Sequence, residues 1–137
     1  MKVKLDEGAI VPTRAHSTDA GLDLYSPKAH YIPFGDSAAI DTGVHVEIPA
    51  GYVGMIKSKS GLNVKRNLTS EGVIDAGYTG SIVVKLRNHS RNKGYYVEKG
   101  DKISQLVILP IITPEIELVD DLEETERGNN GFGSTGK

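Results

Sequence analysis

Three stretches of this chain carry side chains that could do chemistry together. The last is Arg127-Gly-Asn-Asn-Gly131-Phe132-Gly133-Ser134-Thr135-Gly136. Its glycine content reads as flexible linker. It also holds a guanidinium, one aromatic ring and two hydroxyls, spaced by glycines that leave the backbone free to wrap a ligand. A guanidinium suits a phosphate and an aromatic face suits a base, so the tail reads as a lid for a nucleotide. Lys59-Ser60-Gly61-Leu62 opens a predicted helical turn over Ser60 to Arg66, with Ser60 as its N-cap. Free N–H groups at such a start favour an anion, and Lys59 adds a point charge. The same Ser-Gly pair also opens many ordinary turns. Gly72-Val73-Ile74-Asp75-Ala76-Gly77-Tyr78-Thr79-Gly80 reads as a hairpin turn between two apolar strands. Asp75 there is either a turn cap or a general base. In the second reading Ile74 and Ala76 desolvate the carboxylate and strengthen it as a base, and Tyr78 is a flat wall.

Two more polar residues sit inside apolar runs. Asp23 interrupts Gly21-Leu-Asp-Leu-Tyr25, either as a satisfied structural carboxylate or as part of a charged site. Gln105 follows the turn Gly100-Asp101 on what reads as a core strand, where a polar side chain needs a partner. His16, His30, His45 and His89 are scattered without metal-ligand spacing, which argues against a protein-bound zinc. There is no phosphate-binding Gly-x-x-x-x-Gly-Lys-Ser/Thr loop and no Gly-x-Gly-x-x-Gly on a strand–helix unit.

The elements that must position these residues read as strands. Val44, Val46 and Ile48 alternate with polar neighbours; Tyr52 to Lys57, Ser81 to Asn88, Tyr95 to Val97 and Ile103 to Ile112 follow. They are rich in β-branched and aromatic residues and bounded by Gly, Pro, Asn and Asp. Many short strands in 137 residues predict one all-β sandwich or barrel. Pro110 fits an edge or exit strand. From Ala50 to Ser70 there is no acid, while Lys57, Lys59, Lys65 and Arg66 are basic. Glu115 to Glu126 holds seven acids and no base, and reads as a solvated extended arm rather than a helix. Residues 1–114 are expected to form the core and 115–137 the arm and lid. A net charge of −2 argues against a nucleic-acid coat protein. No apolar run approaches the roughly 20 residues of a membrane span. With no cysteine and no signal-peptide core, the expectation is a soluble cytoplasmic protein, or a phage-encoded one acting in host cytoplasm.

Taken in order, Ala20-Gly-Leu-Asp-Leu-Tyr25, Lys59-Ser-Gly-Leu62, Gly72 to Gly80, Gly100-Asp-Lys-Ile-Ser-Gln-Leu106 and Arg127 to Gly136 resemble the homotrimeric dUTP pyrophosphatases along nearly the whole chain. The resemblance implies a jelly-roll-like all-β subunit, a homotrimer with sites between subunits, and a C-terminal arm that closes a neighbour's site. It implies hydrolysis of dUTP to dUMP and pyrophosphate, which keeps uracil out of DNA and supplies dUMP for dTMP synthesis. Asp75 matches the catalytic acid that activates water and holds the sugar 3′-hydroxyl. Tyr78 would pack under the deoxyribose and exclude a 2′-hydroxyl. Backbone from Gly72, Val73 and Ile74 across to Val83 would read uracil. Lys59, Ser60, Gly61 and Gln105 would hold the triphosphate, and Arg127 would take its γ-phosphate. Phe132 would stack on uracil between Gly131 and Gly133, with Ser134 and Thr135 on phosphate. Mg²⁺ would be held by the phosphates and water with no direct protein ligand, and Asp23 would support its water shell or the docking of the arm. The family usually has arginine where Lys59 stands, and often an acid at the position of Gly77. Two further readings are a dUTP-responsive regulator with a protein partner and a dCTP deaminase of the same fold.

Overall fold

The computed structural model describes residues 1–131. In chain order the elements are β1 (Lys2–Leu5), β2 (Gly21–Tyr25), β3 (His30–Ile32), β4 (Ser37–Asp41), β5 (Val44–Glu47), β6 (Tyr52–Lys57), α1 (Ser60–Arg66), β7 (Leu68–Thr69), β8 (Glu71–Ile74), β9 (Val83–Asn88), β10 (Tyr95–Val97) and β11 (Lys102–Pro110). The strands form a four-stranded sheet β2-β11-β6-β8, a three-stranded sheet β4-β9-β7, and the pairs β1-β5 and β3-β10. All these ladders are antiparallel. Among the described residues no helix is long and apolar enough to cross a membrane.

The period of two explains the layers. On β9, Val84, Leu86 and Asn88 are buried while Val83, Lys85 and Arg87 are exposed. Val44, Val46 and Ile48 are all buried, as their alternation predicts. With Leu24, Ile40, Ile56, Leu68, Ile103 and Leu106 they form one core between the sheets. Asn88 is polar but bonded: its amide donates to the Ile32, Pro33 and Lys93 carbonyls, and its oxygen accepts from Ser90 N–H.

Three local expectations change. Lys59, not Ser60, is the N-cap of α1; its backbone is extended and it makes no side-chain cap bond. The helix ends at Asn67, which adopts φ 55° and bonds back to the Asn63 carbonyl. Asparagine tolerates that left-handed geometry better than most residues. Secondly, β9 begins at Val83 rather than Ser81, because Ile82 N–H is drawn to the Val44 carbonyl at 2.8 Å. Thirdly, Gly72 to Gly80 is no hydrogen-bonded hairpin. β8 pairs only with β6, and β9 pairs with β4 and β7, so the two arms enter different sheets. β3 and β4 gave little sequence signal: β3 is three residues long, and β4 is polar at both ends. After Ile111 N–H bonds the Gly51 carbonyl, the chain runs exposed and without helix to Glu126.

β11 lies between β2 and β6, which sets Gln105 level with Asp23 on one side and Lys57 on the other. Asp23 is 5% exposed. Lys59 bonds one of its carboxylate oxygens, and Lys102 Nζ lies 2.8 Å from the other. A register shift between Lys102 and Ser104 re-aims that end of β11. Burial opposes ionisation of Asp23, but the hydrogen bonds from Lys102 and Lys59 outweigh it and hold the carboxyl below its ordinary range. Such a carboxyl adds stability that is complete above its unfolded value and is lost as pH falls through the folded one. Asp23→Asn should therefore cost about 2–4 kcal/mol at neutral pH, the partial exposure of both lysines keeping it below a fully buried pair. The difference from wild type should shrink as pH falls below the ordinary 3.8, a trend that urea unfolding at neutral and acid pH will read.

Candidate active site

The sequence-marked residues gather into two clusters and a tail. The first is a cavity of about 210 Å³ lined by Val73, Ile74, Asp75, Tyr78, Ser81 and Val83. Among the described residues β8 is the last strand of its sheet, and one of its edges carries no partner. β9 is covered by β7 only at Arg87 and Asn88, which leaves Val83 bare on that side. Two strand edges with unpaired backbone groups thus border one cavity. Such groups demand hydrogen-bonding partners and offer a donor–acceptor pattern to a flat polar ring.

The segment between the edges is shaped by few contacts. Tyr78 N–H bonds the Asp75 carbonyl at 3.0 Å, closing a turn. Tyr78 folds back, and its hydroxyl donates to the Ser81 carbonyl at 2.9 Å. The ring then lies over Gly80, where a Cβ would collide with it. The Ser81 hydroxyl donates to Asp41, which also accepts Gly43 N–H at 3.0 Å. These two bonds, the Ser81 one first, hold the Asp41 carboxyl below its ordinary range. Asp75 itself is exposed, and its carboxylate has no hydrogen-bond partner among the described residues. The desolvation expected from Ile74 and Ala76 is therefore not present within one chain, because the strand ends at Ile74 and the carboxylate projects from the turn beyond it. Gly77 has open space where a side chain would stand and no unusual φ.

The second cluster lies off the other end of β6. Lys59 is held by Asp23, and Lys102 shares that carboxylate. Two ammonium groups on one carboxylate leave a net positive charge beside Ser60 and Gly61, the latter open to solvent. Gln105 Nε2 donates to the Ser58 carbonyl at 3.0 Å. Its side chain fits because position 21 is glycine; a Cβ there would strike the Gln105 amide. Beneath lies a serine network that sequence reading did not single out. Ser58 Oγ donates to the Ser70 carbonyl and accepts from Ser70 N–H, while Ser104 Oγ meets Ser70 Oγ and donates to the Lys57 carbonyl, all between 2.8 and 3.0 Å. The signal available for Ser104 was its phase on β11, between buried Ile103 and half-buried Gln105. Lys102 and Ser81 were likewise missed: one lies inside a quoted motif and the other directly after one, but their partners Asp23 and Asp41 come near only in space.

Arg127 stands apart. Its Nε donates to the Asn130 carbonyl at 3.1 Å inside a tight turn of the exposed tail. Gly131 is the last described residue; Phe132, Gly133, Ser134 and Thr135 lie outside the described residues. Ile74 faces Gly54 on β6 while Glu71 faces Lys57. Asp75 and Lys59 therefore leave opposite ends of one ladder, separated by roughly 10 Å of strand and the residues beyond. One chain does not bring Asp75 together with Lys59, Ser60 and Gln105. Among the described residues no group of three or more His, Cys, Asp or Glu side chains could hold a metal ion.

A dUTPase family model matches residues 7–136. The deoxyuridine 5′-triphosphate nucleotidohydrolase of Clostridium tetani is 46% identical over 141 residues, spanning 100% of this chain and 97% of its own. That of Gloeothece citriformis is 44% identical over 136 residues, 97% of this chain and 93% of its own. Among solved structures, the Staphylococcus bacteriophage 80alpha dUTPase with dUpNHpp superposes with a TM-score of 0.93 at 38% identity, covering 99% of this chain and 98% of that one. A dUTPase mutant of S. aureus phage phi11, which coordinates a structural Mg(II) ion, superposes with a TM-score of 0.83 at 35% identity, covering 90% and 98%. The two bare strand edges, the acid beyond them and the jelly-roll-like all-β frame therefore come with relatives that match end to end, and the chain belongs to the dUTPase family.

Proposed function

We propose that the protein hydrolyses dUTP to dUMP and pyrophosphate, keeping uracil out of DNA and supplying dUMP. The observation that carries this is the cavity between the bare edges of β8 and β9, with Asp75 at its rim, in a chain of this family. Uracil enters between the edges and takes the backbone groups of Gly72, Val73, Ile74 and Val83. Cytosine's amino group would set donor against donor there, and a thymine methyl meets the packed strand walls. Tyr78, fixed over Gly80, forms a floor under the deoxyribose that leaves no space for a 2′-hydroxyl. Asp75 accepts the 3′-hydroxyl and a water proton. The water oxygen attacks the α-phosphorus in line, its proton passes to Asp75, and the bond from the α-phosphorus to the bridging oxygen breaks to release pyrophosphate.

The phosphates need cations, and among the described residues none lines the cavity that Asp75 borders. We therefore take the site as shared between copies. Lys59, Ser60, Gly61 and Gln105 of one subunit receive the triphosphate over Asp75 of another, with Ser60 donating where leaving-group charge grows. Asp23 supports them by holding Lys59 and Lys102. The core, residues 1–114, makes the trimer, and the arm, 115–137, brings Arg127 to the γ-phosphate with Phe132 on uracil and Ser134 and Thr135 on phosphate. Ordering that glycine-rich lid costs entropy and in return excludes water other than the reacting one. Mg²⁺ suits this donor set only as a partner of the phosphates, since both Asp23 oxygens already carry ammonium groups. When bound, it neutralises phosphate charge. We take the enzyme to act in the cytoplasm.

With magnesium present, the protein should release pyrophosphate from dUTP and not from UTP, dTTP or dCTP. Asp75→Asn should lower kcat by about 10²–10⁴-fold. No turnover of any of the four nucleotides by wild type would end this reading, and ammonia release from dCTP would replace it with a deaminase. Tyr78→Ala should raise kcat/KM for UTP relative to dUTP by about ten- to a hundredfold, in line with the worth of a small steric contact. Sedimentation equilibrium should give a particle of three 14.7 kDa chains. A monomer active at nanomolar concentration would sink the shared site.

A further inference from the structure

The segment Asp75–Ile82 crosses from one sheet to the other with no ladder along it. Among the described residues Ser81 bonds Asp41 and Thr42 Oγ1 donates to the Ile82 carbonyl at its far end, and one more side chain grips it from outside, at its middle. His45, on β5, has Nδ1 2.8 Å from the Thr79 carbonyl oxygen and Nε2 3.0 Å from a carboxylate oxygen of Asp6. Both partners are acceptors. A carbonyl and an ionised carboxylate have no hydrogen to give, so both ring nitrogens must donate for both contacts to be hydrogen bonds. The imidazolium is the one form that makes both. Neutral imidazole makes one and sets a lone pair against oxygen at the other. Thr79 stands between Tyr78, whose ring forms the sugar floor, and Gly80, over which that ring lies. His45 belongs to none of the motifs that carry the family resemblance.

We propose that His45, as imidazolium, is a positioning residue for the nucleotide site, pinning the Thr79 carbonyl to Asp6 and so fixing the Tyr78 floor. The assignment of that floor to a deoxyribose rests on the function proposed above; the pin itself does not. The charged groups around the ring come from three elements. Asp6 follows β1. Lys4 on β1 faces His45 directly across the β1–β5 ladder. Asp41 ends β4 close enough to attract the ring. Lys2 and Glu47 border the same surface cavity and pair with each other at 2.9 Å. The Asp6 hydrogen bond, then the Thr79 carbonyl, raise the His45 pKa, against burial and Lys4. A raised imidazole pKa means the pin is complete at pH values below the ordinary 6.5 and is released as pH climbs through the raised value.

The experiment uses the full chain. The His45 Hε1 signal, assigned with His45→Gln, is titrated by NMR in wild type and in Asp6→Asn, a change at a half-exposed side chain that should leave the fold intact. Amide exchange at Thr79 to Ser81 and the KM for dUTP are followed over the same pH range. The expected result is a His45 midpoint above 6.5 that drops in Asp6→Asn, with exchange at Thr79 to Ser81 accelerating through each protein's own midpoint. KM should rise about three- to tenfold through that midpoint, the worth of one ordinary hydrogen bond, while kcat shows no step there. A midpoint at or below 6.5, or exchange and KM profiles that ignore Asp6→Asn, would overturn the proposal. If wild type turns over no dUTP, the reaction assigned above fails, and the NMR and exchange arms still decide the pin.

Discussion

β8 ends its sheet with one bare edge, and β9 leaves Val83 bare opposite it. A bare edge in water is normally a liability, because its N–H and C=O groups recruit any strand that drifts past. Here both edges border one cavity of about 210 Å³. The constraint that keeps them apart is the pull of the two core layers. Ile82 is fully buried and tied to Val44, while Ile74 packs over Gly54 in the other sheet. The crossing segment is consequently short of ladder bonds and must be fixed by side chains, which is why Tyr78, Ser81, Asp41 and His45 all reach into it.

Charge at the other end is organised by a single buried carboxylate. Asp23 holds two ammonium groups whose combined charge exceeds its own. The excess is presented beside Ser60 on a helix start that no side chain caps. In the proposed site, lysine at position 59 would meet phosphate as a point charge, without the two-pronged fork of the arginine usual in the family. A second cation anchored on the same carboxylate makes up charge but not that geometry.

The strands that build the core were legible because their alternation reports burial directly: Tyr52 to Lys57 and Tyr95 to Val97 came out where the pattern placed them, and Val44, Val46 and Ile48 are buried together although β5 ends at Glu47. The dUTPase family was legible too, because five motifs occur in order. What the sequence hid was pairing. Gly72 to Gly80 has hairpin chemistry, yet its arms serve different sheets, and only the demands of Ile74 and Ile82 on separate core layers decide that. Asp23 as the holder of Lys59 depends on the β2–β11–β6 register, which no local pattern encodes. Ser58, Ser70 and Ser104 are invisible for the same reason: each is an ordinary serine until strands far apart in sequence lie side by side.

Ile112, just before the arm, and Ile116, Leu118 and Leu122 within it stand almost fully in water, the last three interleaved with seven acids between Glu115 and Glu126. In colloidal terms the arm is a charged brush with greasy bristles. Like charge keeps brushes on different molecules from matting, while the apolar side chains wait for a surface that covers them. The acids thus offset the apolar side chains of this segment, and salt that screens them weakens that offset.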